Sequence, residues 1–315
     1  MTGAVRPELR VLFLGAGKRL SLLERFIAAA KAEDVQLGMW CLERESRVPV
    51  AEVAEIIVGP AFGDPSFEDF LLAAASEHKI DLVLPNMDSA TVALSAARDA
   101  LRKSGVHAVV SDAALCRAME DKVEADAWFR ARGVAVPATD SFPAIVKHRR
   151  GFGARDQAVV RDREELARFL GTRSPGDYLT QKFIPGQEYT VDAYVDRAGK
   201  FVGALSRKRL KVIDGEVEVS ETHRHPEILS VTERLFADKG WEGPITLQFI
   251  DSKDGVVAIE INPRFGGGVT HAIHCGLDMP RWLLREHLHR PLSPAPSWPD
   301  GSLMTRCRRD VFLWS

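Results

Sequence analysis

The stretch Gln248-Phe-Ile-Asp-Ser-Lys-Asp-Gly-Val-Val-Ala-Ile-Glu260-Ile-Asn262-Pro-Arg264 decides the fold of the chain around it. Two apolar runs flank Ser252-Lys-Asp-Gly255, a combination that is typical of a β-hairpin. Since Gln248 and Glu260 are equidistant from the turn, we expect them to lie directly opposite each other. Side chains alternate along a strand, so Asn262 shares the face of Glu260. The sequence therefore predicts one carboxylate and two amides on one face of a hairpin.

These three oxygen-bearing side chains suit Mg²⁺ or Mn²⁺, which take few protein ligands beside waters and substrate phosphates. The alternative is that Glu260 and Asn262 are ordinary polar positions of a half-buried strand. The pairing with Gln248 favours a site, and so does the following Phe265-Gly-Gly-Gly268, because glycine N–H groups and the guanidinium of Arg264 can bind an anion. We therefore predict a magnesium–nucleotide site.

Two lysines upstream are candidates for phosphate contacts. Lys122 lies near a helix start, and Lys147 ends an apolar strand before the basic loop His148–Arg155, which contains Gly151 and Gly153. Most lysines are solvated surface charges. A lysine that ends a strand before a glycine-bearing loop offers a positive charge to a polyphosphate, with N–H donors beside it.

The segment Gln181-Lys-Phe-Ile-Pro-Gly-Gln-Glu188 has two interpretations. It is an ordinary hairpin, or it is an adenine-binding slot. In the second interpretation the backbone groups of Lys182 and Ile184 bind the edge of the base, and Glu188 accepts hydrogen bonds from ribose hydroxyls.

The organisation of the chain changes along its length. The first 115 or so residues alternate apolar strands with helices, which predicts a parallel α/β sheet. The following strands are joined mainly by glycine-bearing turns, which predicts an α+β region with antiparallel sheet. Leu14-Gly-Ala-Gly17, with Glu43 further on, is a weak dinucleotide fingerprint, because its third glycine is missing.

Composition excludes several classes. The chain has 315 residues, which favours about two domains. Its 42 Lys and Arg against 44 Asp and Glu give a net charge of −2, so nothing global attracts nucleic acid or a membrane. The four cysteines form no CxxC pair. No apolar run suits a spanning helix or a secretion signal, so we expect a cytoplasmic protein.

Taken in this order, the motifs resemble the ATP-grasp ligases, in the branch similar to the carbamoyl-phosphate synthase large subunit. The matching segments are Asp121-Lys122, Ile145-Val-Lys147, Gln181–Glu188, Gln248 and Glu260–Gly268. The parallel opening, with Asp81–Asp88 at a strand end, resembles the preATP-grasp domain of that family. The resemblance implies a preATP-grasp domain over residues 1–115, an ATP-grasp small lobe over 116–184, and a C-terminal lobe with the metal site over 185–315.

The resemblance also implies a role for each matching residue. ATP is bound by Lys122, Lys147, Gly151, Gly153, Gln181, Lys182, Phe183, Ile184 and Glu188, and the metal by Gln248, Glu260 and Asn262. The substrate is bound by Asp88, Arg264, Gly266, Gly267 and Gly268. Arg264 and either Lys208 or Arg209, from a basic strand that leans over the phosphates, are the catalytic candidates. That basic strand is alternatively a solvated sheet edge.

The implied activity is an ATP-dependent ligation in which a carboxylate becomes an acyl phosphate and is attacked by an amine or similar nucleophile. The expected partners are therefore a small-molecule carboxylate and amine, with a homodimer left open. Two departures, the loop Gly151–Asp156 without a serine-type residue and the short C-terminal part, leave a non-catalytic ATP-binding module as the alternative. A nicotinamide oxidoreductase is a distant third.

Overall fold

The computed structural model of the chain describes residues 6–151 and 156–313. Its first part is a five-stranded sheet with all strands parallel, in the order β3-β2-β1-β4-β5. Its elements are β1 (Glu8–Leu14), α1 (Leu20–Glu33), β2 (Gln36–Glu43), β3 (Glu55–Val58), α2 (Phe67–Glu77), β4 (Leu82–Pro85), α3 (Asp88–Lys103) and β5 (His107–Ala108). The central strand β1 is apolar on both faces, as helices on both sides require. The predicted parallel α/β opening is confirmed.

The strand order of this sheet reverses between β1 and β4. Such a reversal opens a crevice at the carboxyl ends of the two strands. The loop 15–19 follows β1 and the segment 86–88 follows β4. Both therefore lie at the end of the sheet where ligands bind in α/β folds.

Two helices and a small antiparallel sheet come next. They are α4 (Ala113–Glu120), α5 (Lys122–Arg130), β6 (Ala144–His148), β7 (Ala158–Val160), α6 (Arg163–Leu170) and β8 (Tyr178–Lys182). The sheet has the order β7-β6-β8. Helix α5 begins after Asp121, whose carboxylate accepts the Val123 N–H at 3.0 Å and satisfies one of the free donors of the first turn. The helix start expected near Lys122 is therefore observed.

The remaining chain builds a six-stranded antiparallel sheet, in the order β13-β12-β9-β10-β11-β14. Its elements and the helices around it are β9 (Gln187–Val195), β10 (Phe201–Ile213), β11 (Glu216–Thr222), α7 (Pro226–Leu235), β12 (Gly243–Ser252), β13 (Gly255–Asn262), α8 (Val269–His274), α9 (Met279–His287) and β14 (Leu303–Thr305). The expected antiparallel sheet is confirmed. The basic strand expected around Lys208 and Arg209 is the second half of β10, and the C-terminal tail contributes the edge strand β14.

The first and third sheets share one apolar core. The ring of Phe265, which follows β13, packs edge-on against Phe26 of α1 with ring centroids 5.9 Å apart. Phe26 packs in the same way against Phe13 of β1, at 4.9 Å. Edge-to-face aromatic pairs stabilise their partners beyond simple burial. The glycine-rich segment that starts at Phe265 is therefore held against the parallel sheet.

A buried acid joins the same two regions. Glu33 ends α1 and accepts hydrogen bonds from Arg281 and Arg285 of α9, and from Arg290 beyond it. Its side chain is 4% exposed. Burial alone raises the pKa of Glu33, but the three guanidiniums outweigh it and lower the pKa to about 2. The carboxylate thus stabilises the fold as long as it stays charged.

The predicted domain boundaries near residues 115 and 184 fall between the sheets and remain a prediction. Among residues 6–151 and 156–313, we find no helix whose length and hydropathy would let it cross a bilayer.

Glu33→Gln should lower the free energy of unfolding at pH 7 by about 2 kcal/mol, because three charge-assisted hydrogen bonds are weakened. Because the pKa is depressed in the folded state, the difference from wild type should be full above about pH 5 and should shrink as pH falls toward the folded pKa of about 2. Urea unfolding at several pH values measures it. Glu24→Gln on the same helix, whose partner Arg309 is exposed, is the control and should cost less than about 0.5 kcal/mol. Equal effects of the two substitutions would contradict this role for Glu33.

Candidate nucleotide and substrate site

The hairpin β12–β13 pairs Gln248 with Glu260, the pairing that symmetry about the turn predicts. The tight turn lies between Ser252 and Gly255, and the register shifts by one residue between Gln248 and Phe249. Ile259 is the extra residue, since Phe249 pairs with Ala258. The pairing therefore depends on a β-bulge, which the alternation of residues does not predict.

The bulge decides which side chains reach the cleft. Ile259 and Glu260 both face it, and Ile250 lies on the same wall. Both isoleucines would be expected to pack in or beside the core, but they line a cleft instead. Their apolar surface is available to a flat ring, with the polar cluster beside it.

Glu260 is the centre of the polar cluster. Its Oε1 accepts from Nε2 of Gln248 at 2.6 Å and from Nδ2 of Asn262 at 2.9 Å. Turning both amide groups about their terminal bonds would direct three oxygens to one point. The described residues contain no group of three His, Cys, Asp or Glu side chains suited to a metal. One carboxylate and two amides fit a cation such as Mg²⁺ that takes its other ligands from phosphate and water.

The adjacent cleft has a volume of about 190 Å³ and combines apolar walls with backbone donors. It is lined by Pro137, Ile145, Lys147, Gln181, Lys182, Phe183, Ile184, Pro185, Gly186, Glu188, Ile250 and Ile259. The structure thus brings six of the nine predicted ATP-binding residues to one cleft. Within the described residues, the N–H of Ile184 has no intramolecular partner and is free to bind a base edge.

Gln181 carries a second free polar group beside the cleft. The residue is 1% exposed, and its Nε2 donates to Asp126 at 2.6 Å. Its Oε1 has no partner among the described residues. A buried amide oxygen without a partner is costly, and the exocyclic amine of an adenine is a suitable donor to it. This orphaned oxygen supports a fit between the cleft and a nucleotide.

Lys147 lies where the cleft meets the polar cluster, and it is 9% exposed. Burial lowers the pKa of its ammonium group, while Glu260 and Asp126 oppose that shift. Within the part of the chain that the structure describes, Lys147 has no direct ion pair, and a buried cation of this kind gains most from an incoming anion. Lys147 is therefore placed to bind a phosphate.

Lys122 occupies the first position of α5, and its Nζ donates to the carbonyl of Gly151 at 2.7 Å. It thereby orders the near end of the basic loop instead of standing free. Gly153 lies outside the described residues. The predicted phosphate contacts of Lys122, Gly151 and Gly153 remain predictions.

The basic strand β10 presents alternate residues to opposite faces. Arg207 is 1% exposed and donates through Nε to buried Asp192 at 2.9 Å, and Arg209 bridges to Glu188 at 3.1 Å. Arg209 thus contacts a residue of the cleft wall, whereas Arg207 lies against Gly268. Lys208 pairs with Tyr189, which packs in the core on the other face. The structure therefore brings Arg209 to the site but not Lys208, and adds Arg207.

Arg264 and Asp88 meet, although 176 residues separate them. Nε and Nη2 of Arg264 donate to the two carboxylate oxygens of Asp88 at 2.7 and 3.0 Å, and Nη1 donates to the Phe265 carbonyl at 3.1 Å. Burial alone lowers the pKa of Arg264, but Asp88 reverses this and raises it. This bidentate pair fixes the glycine-rich segment to the start of α3.

Gly266, Gly267 and Gly268 lie against charged side chains. A Cβ at Gly266 would lie 2.6 Å from Oγ1 of Thr246, and one at Gly268 would lie 2.8 Å from Nη1 of Arg207. Thr246 and Arg207 are both held by Asp192. Close approach to these fixed groups requires glycine at both positions, whereas a Cβ at Gly267 would make only ordinary van der Waals contacts.

The glycines after β1 do not form a dinucleotide site. The N–H of Gly17, which a dinucleotide fingerprint presents to a pyrophosphate, donates to Glu43 at 2.5 Å. Glu43 also accepts from the thiol of Cys41 at 3.2 Å. Glu43, the acid of that fingerprint, thus caps the loop after β1, which argues against nicotinamide chemistry.

Residues 174–307 match the family model described as "ATP-grasp in the biosynthetic pathway with Ter operon". The carbamoyl phosphate synthase large chain of Clostridium perfringens (strain 13 / Type A) is 26% identical over 150 residues, which cover 44% of this chain and 14% of that protein. The chain thus spans a small part of the length of its curated relatives.

Solved structures cover more of the chain. The biotin carboxylase domain of Hydrogenobacter thermophilus 2-oxoglutarate carboxylase, in complex with MgADP, ADP and bicarbonate, has a TM-score of 0.72 at 18% identity, covering 93% of this chain and 73% of that one. N5-carboxyaminoimidazole ribonucleotide synthetase from Thermus thermophilus has a TM-score of 0.71 at 20% identity, covering 90% of this chain and 80% of that one. The chain has an ATP-grasp fold, and the resemblance to the ATP-grasp family is confirmed.

Gly268→Ala should lower the free energy of unfolding by about 1–3 kcal/mol, because the new Cβ meets the immobile Arg207 and Val217. Gly267→Ala is the matched control. Its Cβ would meet no atom closer than 3.6 Å, so its effect should stay within about 0.5 kcal/mol. Urea unfolding of the two variants tests the difference, and equal stabilities would show that the segment is not packed as described.

Proposed function

We propose that this ATP-grasp chain uses ATP and Mg²⁺ to activate a carboxylate as an acyl phosphate, which an amine or similar nucleophile then attacks, with release of ADP and phosphate. A carboxylate oxygen is a poor leaving group, and phosphorylation replaces it with a good one. The catalytic requirement is therefore to position the γ-phosphoryl group and to neutralise its charge in the transition state.

The juxtaposition of Lys147 with the Gln248–Glu260–Asn262 cluster at one end of the cleft carries this proposal. The apolar walls and the free N–H of Ile184 lie along the cleft, and the charged groups lie where it meets β13. A nucleotide bound with its base between Ile250 and Ile259 would direct its phosphates to Lys147. The arrangement matches base, ribose and polyphosphate in that order, with Glu188 beside the ribose position.

Each group then has a defined task. Lys147 binds a phosphate with a positive charge that burial has made poorly solvated. Gln248, Glu260 and Asn262 would hold Mg²⁺, which neutralises phosphate charge when bound. Arg209 contacts Glu188 of the cleft wall and Arg207 lies beside Gly268, and the N–H groups of Gly266–Gly268 would be donors for the developing acyl phosphate.

The comparisons support the same class of chemistry. One structural neighbour was solved with MgADP and bicarbonate, and another is a carboxyaminoimidazole ribonucleotide synthetase. The curated relatives are carbamoyl phosphate synthase large chains. Bicarbonate in the first of these complexes is itself a small carboxylate-like anion, which agrees with a carboxylate as the activated group here.

Glu260→Gln and Lys147→Ala should each weaken MgATP binding about 10- to 100-fold, since each removes a charge-assisted contact. Both should abolish ADP formation in the presence of a panel of carboxylates and amines. Isothermal titration and a coupled ADP assay give the two readouts. Lys200→Ala and Glu227→Gln, at exposed positions away from the cleft, are the charge-matched controls and should behave as wild type.

The alternatives give different results in the same assays. A wild-type protein with no affinity for MgATP, or an affinity indifferent to Glu260→Gln, would refute the nucleotide site. MgATP binding without turnover on any acid and amine pair would identify a nucleotide-binding module instead of a ligase.

A further inference from the structure

Arg264, the residue first expected to bind the substrate carboxylate, already has its best-placed donors engaged. Its Nε and Nη2 are held by Asp88, and its Nη1 donates to the Phe265 carbonyl. A guanidinium has five N–H donors in a fixed plane, and a bidentate ion pair occupies the side best suited to a second carboxylate. A substrate anion would have to displace Asp88 to take its place.

Arg19 is in the opposite situation. It follows the loop after β1 and reaches across to the glycine-rich segment, where its Nη2 donates to the carbonyls of Phe265 at 3.0 Å and Gly266 at 2.7 Å. Within the described residues it has no carboxylate partner, and its Nε and Nη1 make no hydrogen bond. It is a half-buried cation with free donors.

Arg306 brings a second guanidinium to the same place. It follows the edge strand β14, pairs with Glu216 through Nη1, and donates through Nη2 to the carbonyl of Gly267. A Cβ on Gly267 would meet Nη2 of Arg306 at 3.6 Å and Nη1 of Arg19 at 3.9 Å. The two guanidiniums therefore converge on the open side of Gly267.

The balance of charge at this point favours an anion. Arg19 and Arg264 donate to the same carbonyl oxygen of Phe265, so two cations lie side by side. Burial lowers the pKa of Arg19 to about 10, and the charges of Arg264 and Arg306 act in the same direction, against an opposing effect of Glu216. A bound anion would relieve both the repulsion and the poor solvation.

We propose that Arg19 and Arg306 bind an anionic group of the substrate, a carboxylate or a phosphate, over Gly267, and that Arg264 is a positioning residue that holds the segment through Asp88. This proposal rests on the proposed function only in identifying the anion as part of the substrate. The geometry of the two arginines defines the anion site independently. It adds to the site one arginine from the loop after β1 and one from the C-terminal tail.

The site is tested by titrating the full chain without nucleotide with inorganic phosphate, with succinate and with butyrate, using isothermal calorimetry. We expect phosphate or succinate to bind the wild type, and the tighter of the two identifies the chemistry of the anionic group. Arg19→Gln and Arg306→Gln should each weaken that binding at least about tenfold, since each removes a charge-assisted contact. Arg309→Gln lies on the same tail, where Arg309 pairs with Glu24 and Glu52 instead, and should leave it unchanged.

Arg19→Lys distinguishes a loss of anion binding from a folding defect, because it retains the positive charge but loses the planar guanidinium. Its affinity should fall between those of wild type and Arg19→Gln. Wild type that binds none of the three anions, or binding that survives both glutamine substitutions, would overturn the assignment. MgATP affinity is measured on the same variants and should persist in Arg19→Gln, since Arg19 does not line the nucleotide cleft. Absence of MgATP binding by the wild type would instead count against the proposed function alone.

Discussion

The extra residue Ile259 in strand β13 is the constraint on which the site depends. Without the bulge, the tight turn at Ser252–Gly255 would pair Gln248 with Ile259 and would send Glu260 into the core. With it, Ile259 and Glu260 both face the cleft. One residue therefore supplies part of the apolar wall of the cleft, and the next supplies the carboxylate of the candidate metal site.

The second half of the site depends on contacts that are distant in sequence. Phe265 packs on Phe26, Arg264 pairs with Asp88, and Arg19 donates to the segment that follows Phe265. The parallel sheet thus supplies both an apolar support and polar contacts for a segment of the antiparallel sheet. Glu33 and its three arginines hold the same two regions together at a point away from the cleft.

Local sequence patterns predicted the elements and the polar cluster, and they did so for physical reasons that the structure clarifies. Gln248 and Glu260 pair as their equal spacing about the turn predicts. The turn is centred between Lys253 and Asp254, half a residue too early for that pairing, and the extra residue Ile259 makes up the difference. Alternation also distinguishes Arg207 and Arg209 from Lys208, but only when the pairing with β9 is known. A basic run carries no information about which residue faces inward.

Other features could not be predicted from local pattern. Strand β14 has three residues, too few for a periodicity, and it forms because β11 offers an unpaired edge. Arg19 resembles any arginine at a helix start, and its partners lie 246 and 247 residues away. The one sequence signal that could have identified it is its place after a glycine turn at the carboxyl end of the first strand, where the crevice of a parallel sheet opens.

The buried pair of Asp192 and Arg207 explains why this arrangement of charges needs the whole fold. Both side chains are essentially unexposed, and Nη1 of Arg207 has no partner among the described residues. Such a pair gives little net stability, because the cost of removing two charges from water offsets their attraction. The pair instead fixes the position of the glycine-rich segment. Asp192 also accepts from Thr246, and Gly266 and Gly268 pack directly on Thr246, Asp192 and Arg207. The neighbouring His271 is kept neutral, since burial and the charge of Arg207 lower its pKa to about 4, so no further cation competes for Asp192. The net charge of −2 therefore does not describe this region. Its acidic side chains already have arginine partners, and the remaining positive charge favours a bound anion.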